Sequence, residues 1–297
     1  MNITIIRATK RKNSSTYNGA KHLISKLKNV GEVFEFTLPD DMPHICTGCY
    51  ACLHGKENSC GGYEFLEPIN EAFEKSDLII FCCPVWCFHA PGQIKSFLDH
   101  YGCRWLVHRP NFDMQNKQAL IITTAGGGGL KSAAKDIKDS MDYWGVARTH
   151  IVTFAVWQYF WNDMPEKMKA SFENKLDKAA RKIEKCAENL KPSLKVKCLY
   201  NMFKKLHLSG KMWEIDNEYW KENIKRQKIK LIKYLVPRPV KSALGMLDEI
   251  IYEPLYDGAK DMLLVEQTDD KSFLTKLFNA MYEELPMPKK KTKKKKK

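Results

Sequence analysis

Four cysteines in one short stretch are the first residues of this chain that could do chemistry. Cys46, Cys49, Cys52 and Cys60 follow the pattern C-x2-C-x2-C-x7-C in the segment CTGCYACLHGKENSC. Three thiolates at two-residue gaps, with a fourth from a short loop, can wrap one cubane [4Fe-4S] cluster. Zinc also accepts four cysteines, although it usually takes them from two separated CxxC knuckles. A reduced loop without metal is the third possibility, and the spacing leaves all three open.

The distribution of cysteine also indicates a cellular compartment. Eight of the ten cysteines lie between Cys46 and Cys103, which suggests a site there and not a framework of disulfides. The chain begins MNITIIRATKRKN, with an apolar strand before a basic run, the reverse of a secretory signal. No run of about 18 apolar residues predicts a membrane span. We therefore expect a cytoplasmic protein with reduced thiols, metal ligands or redox chemistry.

A polar segment at residues 9–16 (TKRKNSST) follows the first apolar run. Its hydroxyls and the free amide groups of the helix that follows could bind a phosphate, and the helix dipole adds to the attraction. Arg11 and the neighbouring lysines supply positive charge. The other interpretation is a simple Ser/Thr helix cap. The segment contains neither GxxxxGK[ST] nor GxGxxG.

Two more segments could contact a flat ring. Residues 83–89 (CPVWCFH) follow the third apolar run, and Pro84 ends that strand. An extended turn with aromatic side chains suits a planar heterocycle, unless Trp86 and Phe88 belong to the core or to an interface. Cys82, Cys83 and Cys87, which flank this turn, are expected to be small packing residues. Residues 123–129 (TTAGGGG) allow close approach of a ligand or of another backbone, or form a flexible loop.

The elements that must position these segments alternate strand and helix five times. The alternation implies parallel strands with right-handed crossovers and helices on both faces. Five strands in about 190 residues favour a flavodoxin-like three-layer sandwich with strand order 2-1-3-4-5. We predict strands at 3–6, 31–38, 77–82, 118–124 and 146–156, and helices at 17–28, 63–75, 92–101, 130–143 and 164–190.

Three regions follow from this pattern. We expect a flavodoxin-like domain over residues 1–190, a mainly helical extension over 191–288 with no assigned chemistry, and a disordered lysine-rich tail over 289–297. The tail (KKKTKKKKK) holds eight lysines of a chain whose net charge is +14, and it cannot bury apolar area. It could contact nucleic acid or an anionic membrane. It has no interleaved aromatics, so we predict no specific nucleic-acid partner.

Ligands of open parallel sheets bind beyond the carboxyl ends of the strands. A phosphate site and two contacts for a planar ring, after strands one, three and four, describe FMN. The set resembles the NADPH-dependent FMN reductase and flavodoxin-like family over residues 1 to about 190. The family's phosphate loop corresponds to residues 9–16, its Pro-Val-aromatic turn to 84–88, and its Gly-Gln-x-Lys-x-Phe-x-Asp helix to 92–99. Relatives often begin the first loop with Gly-Ser-Pro-Arg, where this chain has Ala8-Thr9-Lys10-Arg11.

The resemblance implies an FMN-dependent oxidoreductase that takes hydride from NADH or NADPH and passes electrons to a quinone, a flavin or another small acceptor. Because the flavin carries the chemistry, no catalytic side chain is expected. The implied FMN-binding residues are Thr9, Arg11, Asn13, Ser14, Ser15, Thr16, Pro84, Val85, Trp86, Cys87, Phe88, Thr124, Ala125, Gly126 and Gly127.

The cysteine motif is similar to that of the iron–sulfur flavoprotein branch of this family. There a cluster feeds electrons to FMN, often across a subunit boundary. The resemblance therefore implies, as an alternative, an electron carrier that works with a ferredoxin-like protein. It also implies a homodimer or a larger homo-oligomer. A binding module that uses the fold without flavin is the third hypothesis.

Overall fold

The computed structural model of this chain describes residues 1–224, 234–237, 251–254 and 261–265. Its centre is a five-stranded parallel sheet in the predicted order β2-β1-β3-β4-β5. The strands are β1 Ile3–Arg7, β2 Val33–Thr37, β3 Leu78–Pro84, β4 Gln118–Ala125 and β5 Arg148–Ala155.

Helices cover both faces of this sheet, so the predicted three-layer sandwich is confirmed. Adjacent residues of a strand point to opposite faces, so Ile5 packs against the helices on one face of the sheet and Ile6 packs against those on the other. The central strands are buried on both faces, which explains their nearly continuous apolar sequences. The five helices are α1 Ser15–Lys26, α2 Tyr63–Lys75, α3 Gly92–His100, α4 Leu130–Trp144 and α5 Glu166–Glu188.

Helix α1 begins two residues earlier than the sequence pattern predicts. The hydroxyl of Ser14 accepts a hydrogen bond from the backbone N–H of Tyr17 at 3.3 Å and caps the helix. Serine is a favoured residue at this position because its oxygen satisfies one of the free amide groups of the first turn. Ser15 and Thr16 are therefore the first helical residues and not the end of the loop.

Two further helices, α6 (Leu194–Leu208) and α7 (Glu214–Asn223), belong to the same compact unit as the sheet, which ends at Ile229. Tyr200 and Trp220 pack with Leu106 in a separate apolar cluster. The indole Nε1 of Trp220 also donates to the carbonyl of His108 at 2.7 Å. The C-terminal extension thus starts with helices, as predicted, and the boundary expected at residue 190 stays a prediction.

Among the described residues of the second unit are three short strands that the sequence pattern did not predict. They form an antiparallel sheet in the order β6-β8-β7, and runs of four or five residues are too short for periodicity to identify. No helix in the described part of the chain is long and apolar enough to cross a membrane. The lysine-rich segment 289–297 lies outside the described residues. The strands are β6 Tyr234–Pro237, β7 Ile251–Pro254 and β8 Asp261–Val265.

Candidate functional site

The candidate site lies where three neighbouring strands end. Arg7 of β1 is paired with Cys82 of β3, and Pro84 of β3 is paired with Thr124 of β4. Since these strands are parallel and adjacent, the segments that follow them leave the same edge of the sheet. The structure therefore brings the three predicted loops side by side.

The first of these loops presents the N-terminus of α1. Ser15 and Thr16 lie in its first turn, where backbone amide groups have no acceptor within the helix. The hydroxyl of Thr16 is buried and has no hydrogen-bond partner among the described residues. Arg11 is exposed, and its backbone N–H donates to Oγ1 of Thr9 at 3.3 Å. A helix N-terminus with an unpartnered hydroxyl and a nearby cation suits a phosphate group.

Other elements hold this loop although it lacks the proline of its relatives. The side-chain amide of Gln93 at the start of α3 donates to the carbonyl of Ala8 at 2.7 Å. The backbone N–H of Trp161, from the segment after β5, donates to the carbonyl of Asn13 at 3.0 Å. Gln93 belongs to the sequence motif of residues 92–99, whereas no local pattern indicated the contact of Trp161.

The second loop is a tight turn and not the extended one expected from sequence. Trp86 and His89 exchange backbone hydrogen bonds of 3.0 and 2.9 Å, with Cys87 (φ 48°) and Phe88 (φ 66°) between them in the left-handed region. Two positive φ values are the signature of a type I′ turn, and non-glycine residues hold them only where the surroundings compensate. Trp86 and Phe88 are 47% and 67% exposed, so neither ring belongs to the core.

The third loop packs against this turn, residues 86–89, which we call the aromatic turn. The backbone N–H of Val85 donates to the carbonyl of Thr124 at 2.9 Å. Gly129 has φ +84°, and a Cβ there would lie 2.6 Å from Cα of Phe88. Gly127 has no neighbour within 4 Å of such a Cβ. A Cβ at Gly128 would also overlap with the ring of Phe88, so two positions of the glycine run are in close contact with the aromatic turn, whereas Gly127 borders open space.

The predicted FMN residues differ in exposure. Five are buried, and they lie in the loop after β1, at the start of α1 and at the end of β4. The rest line the surface of the same edge, where a ligand could reach them. The buried residues are Thr9, Ser14, Ser15, Thr16 and Thr124, the partly buried ones are Asn13, Pro84, Val85 and Ala125, and the exposed ones are Arg11, Trp86, Cys87, Phe88, Gly126 and Gly127.

The four cysteines of the motif line one cavity of about 550 Å³, which we call the cysteine cavity. His44 and His100 line it as well. Nδ1 of His100 lies 3.6 Å from Sγ of Cys60, while its Nε2 contacts the carbonyl of His44 at 3.1 Å. Burial lowers the pKa of His100 and so favours its neutral ring. Nε2 donates to that carbonyl because a carbonyl oxygen can only accept. Sequence spacing did not indicate a role for His100 because α3 brings it from 40 residues away.

The number and type of these thiols fit an iron–sulfur cluster. Within the described residues, however, no group of three or more His, Cys, Asp or Glu side chains is arranged to hold a metal ion. The cysteine loop (residues 46–60) in this conformation therefore provides a cavity lined by four thiols but not a closed coordination sphere, and by itself it shows neither a structural zinc site nor an assembled cluster site.

Cys52, in the cysteine cavity, has a lower pKa than the two cysteines of β3, Cys82 and Cys83. A hydrogen bond from the thiol of Cys103 lowers the pKa of Cys52 to about 6. The thiolate is the form that binds metals. Burial instead raises the pKa of Cys83 to about 12 and raises that of Cys82 as well. These two are protonated packing residues, as predicted, whereas the same prediction for Cys87 was wrong, since Cys87 is exposed.

The two candidate sites contact opposite ends of α3. Gln93 meets the first flavin loop at the start of the helix, and His100 meets the cysteine cavity at its end. The two residues are seven positions apart in the helix, about 10 Å along its axis. The cysteine cavity therefore lies beside the candidate flavin site and not within it.

Comparison with known proteins identifies one relative that is an iron–sulfur flavoprotein and one that is an FMN-dependent oxidoreductase. An iron–sulfur flavoprotein of Archaeoglobus fulgidus is 24% identical over 207 residues, which cover 67% of this chain and 88% of the relative. An FMN-dependent NADH:quinone oxidoreductase of Pelagibacter ubique is 24% identical over 202 residues, which cover 62% of this chain and 98% of the relative. The solved structure of an NAD(P)H:quinone oxidoreductase from Methanothermobacter marburgensis is 16% identical, with a TM-score of 0.48 and coverage of 62% and 97%.

The pattern of a whole family matches the N-terminal part of the chain. Residues 1–159 match NADPH-dependent FMN reductase. This segment contains β1 to β5 and all three flavin loops, and it spans more than half of the 297 residues. The resemblance inferred from the sequence is confirmed, and the chain belongs to the NADPH-dependent FMN reductase family.

Proposed function

We propose that this protein binds FMN at the carboxyl edge of its sheet and moves electrons from NADH or NADPH to a quinone, a flavin or another small acceptor. The observation that carries this proposal is the meeting of three loops at neighbouring strand ends, one of them opening a helix with an unpartnered buried hydroxyl. Membership of an FMN reductase family supports the choice of flavin.

Different residues of the site would bind different parts of FMN. The first turn of α1 and Arg11 would bind the phosphate, because amide groups and a guanidinium favour negative charge there. The aromatic turn and Gly127 would contact the ring system from two sides. Bound FMN would supply the hydride and electron chemistry. The protein would orient the ring and limit access to it, and we assign no catalytic side chain.

Flavin titration tests the phosphate loop. FMN and riboflavin differ only by the phosphate, so Arg11→Gln is expected to weaken FMN binding about fivefold, from the ~1 kcal/mol that an exposed charge contributes. Riboflavin binding stays unchanged. Lys26→Gln is the matched control, since it removes one positive charge at the C-terminal end of α1, about 20 Å from the phosphate loop at the start of that helix. Equal FMN affinities for the two variants would show that the loop does not bind the phosphate.

An activity assay tests the electron source. The FMN-loaded protein is expected to oxidise NADH or NADPH when a quinone is present, followed by absorbance of the nicotinamide. A loaded flavin that neither nicotinamide reduces would contradict this function and favour the second candidate.

The second candidate is an iron–sulfur flavoprotein that exchanges electrons with a ferredoxin-like partner. The observation that favours it is the cysteine cavity, which contains all four motif cysteines. Anaerobic reconstitution is expected to incorporate iron and sulfide in the wild type but not in Cys52→Ser. Cys198→Ser, an exposed cysteine on α6, is the control. Equal iron content in both variants would exclude the motif as the ligand set.

The state of assembly and the location complete the proposal. We expect a homodimer or larger homo-oligomer in the cytoplasm, in keeping with the flavin chemistry and the reduced thiols. Light scattering measures the first, and a monomer at micromolar concentration would contradict it. Fractionation of the source cells measures the second.

A further inference from the structure

Arg109, in the segment between α3 and β4, joins two distant parts of the chain. It is 5% exposed. One guanidinium nitrogen donates to the carbonyl of Leu53 at 3.2 Å, and the other donates to Glu57 at 3.1 Å. The same two nitrogens also donate to the carboxylate of Asp216 and to the carbonyl of Cys52. Two main-chain carbonyls of the cysteine loop therefore depend on one buried cation.

Asp216 holds this cation from the opposite side. It lies in the first turn of α7 and is 1% exposed. Its second oxygen lies 2.8 Å from Nδ1 of His108. A buried carboxylate is stable only when it is paired and hydrogen-bonded, so Arg109, His108 and Asp216 require one another. The geometry of the pair is set by a helix that lies outside the family match at residues 1–159.

The start of α7 also contacts the cysteine loop directly. The side chain of Ile215 packs against Gly55, where a Cβ would overlap with it and where φ is +75°. The ring of Trp213 stacks on His54 with 5.6 Å between centroids and 5° between planes. Gly55 ends the short 3-10 helix Cys52–His54 and donates to the carbonyl of Cys52 at 3.3 Å. The Arg109–Asp216 ion pair and the side chains of Trp213 and Ile215 thus all hold the turn at residues 52–55.

We infer that Arg109 and the first turn of α7 form a clamp that positions Cys52 in the wall of the cysteine cavity. Arg109 and Asp216 are positioning residues, since neither lines the cavity. The purpose of the clamp rests on the second candidate function, in which Cys52 binds a cluster. The clamp gives the C-terminal helices a role in a site that the rest of the chain supplies.

Hydrogen exchange of the metal-free, full-length protein tests the clamp. The reporters are the amides of Leu53, His54, Gly55 and Lys56, all of which are bonded within the turn. Asp216→Asn is expected to exchange about tenfold faster at these amides, since loss of the buried charge weakens the hold on the turn. Glu218→Gln, an exposed carboxylate on the same helix, is the control and is expected to match the wild type.

A second variant covers the case in which Asp216→Asn does not fold. Arg109→Lys keeps the charge opposite Asp216 but loses the planar fork that reaches both carbonyls, so the same amides are expected to exchange faster. Unchanged exchange at residues 53–56 in either folded variant overturns the clamp.

Iron retention separates the clamp from the function that it serves. After anaerobic reconstitution, Asp216→Asn is expected to lose iron to a chelator about tenfold faster than the wild type and Glu218→Gln, in step with the faster opening of the turn. A wild type that incorporates no iron contradicts the cluster, while the exchange data still decide the clamp. Equal iron loss in all three proteins, with the wild type loaded, overturns the positioning role.

Discussion

Replacement of Gly129 by alanine tests whether the second and third loops form one rigid unit. A Cβ at this position would lie 2.6 Å from Cα and 2.8 Å from the carbonyl oxygen of Phe88, and 2.7 Å from Cγ1 of Val85. Two of these three atoms belong to the backbone of the aromatic turn. They cannot rotate away, so the methyl group must displace the turn or the start of α4.

The expected loss of stability has two parts. A non-glycine residue in the left-handed region costs ~1–2 kcal/mol, and Gly129 has φ +84°. Insertion of a methyl group into a packed contact costs ~1–3 kcal/mol more. The sum of ~2–5 kcal/mol is within the ~5–15 kcal/mol total of an ordinary domain, so the variant still folds and its FMN affinity can be measured.

The control is Gly127→Ala in the same glycine run. Its Cβ meets nothing within 4 Å, so its free energy of unfolding should change by less than ~0.5 kcal/mol. Because Gly127 borders the proposed ring site, its FMN affinity should nevertheless fall. Chemical denaturation of the flavin-free proteins measures the first quantity, and flavin titration the second. A Gly129→Ala protein as stable as the wild type would refute the rigid contact between the loops.

Three further predictions concern buried or acidic groups. Burial lowers the pKa of His150 to about 4. In the unfolded chain this imidazole binds a proton below about pH 6.5, whereas in the folded chain it does not until about pH 4. The contribution of His150 to the free energy of unfolding is therefore complete above pH 6.5 and falls by up to ~3 kcal/mol as the pH drops. In His150→Gln, the free energies of unfolding measured at pH 7 and pH 5 should differ less than in the wild type. The ammonium of Lys117 donates to two carbonyls at the end of α2, at 2.8 and 2.7 Å. Lys117→Met should therefore cost ~2–4 kcal/mol in denaturation, whereas Lys26→Met, an exposed change, should cost less than ~0.5 kcal/mol. Cys52 of the metal-free protein should react with iodoacetamide at pH 7 faster than an ordinary thiol, and Cys103→Ala should slow this reaction to the ordinary rate. Mass spectrometry measures the rate of alkylation at Cys52. Equal rates in the wild type and Cys103→Ala would contradict the hydrogen bond between the two thiols.

Much of the fold was predictable because it is recorded locally. Apolar runs such as residues 3–6 have the composition of a strand buried on both faces, and their alternation with amphipathic helices predicts a parallel sheet. The hydroxyl-rich segment at residues 9–16 indicated that a helix starts close by, and the structure places that start at Ser15. Anion binding by this segment stays a prediction. The resemblance of residues 84–88 and 92–99 to a family then assigned the flavin.

Other features depend on contacts between distant residues. The left-handed turn at Cys87 and Phe88 is imposed by packing against the glycine run, against the local preference of both residues. His100 reaches Cys60 across 40 residues, and Arg109 reaches Asp216 across 107.

The sequence by itself determined the five strands of the parallel sheet and the segments that carry polar or sulfur ligands, and therefore the fold of that domain, the family and the two candidate sites. Only the tertiary structure decided that the cysteine cavity contacts the far end of α3 and that α7 holds its loop. The reason is physical. Periodicity and capping reflect forces between near neighbours in the chain, whereas a buried ion pair or a cavity forms only after the sheet and helices have brought remote side chains together.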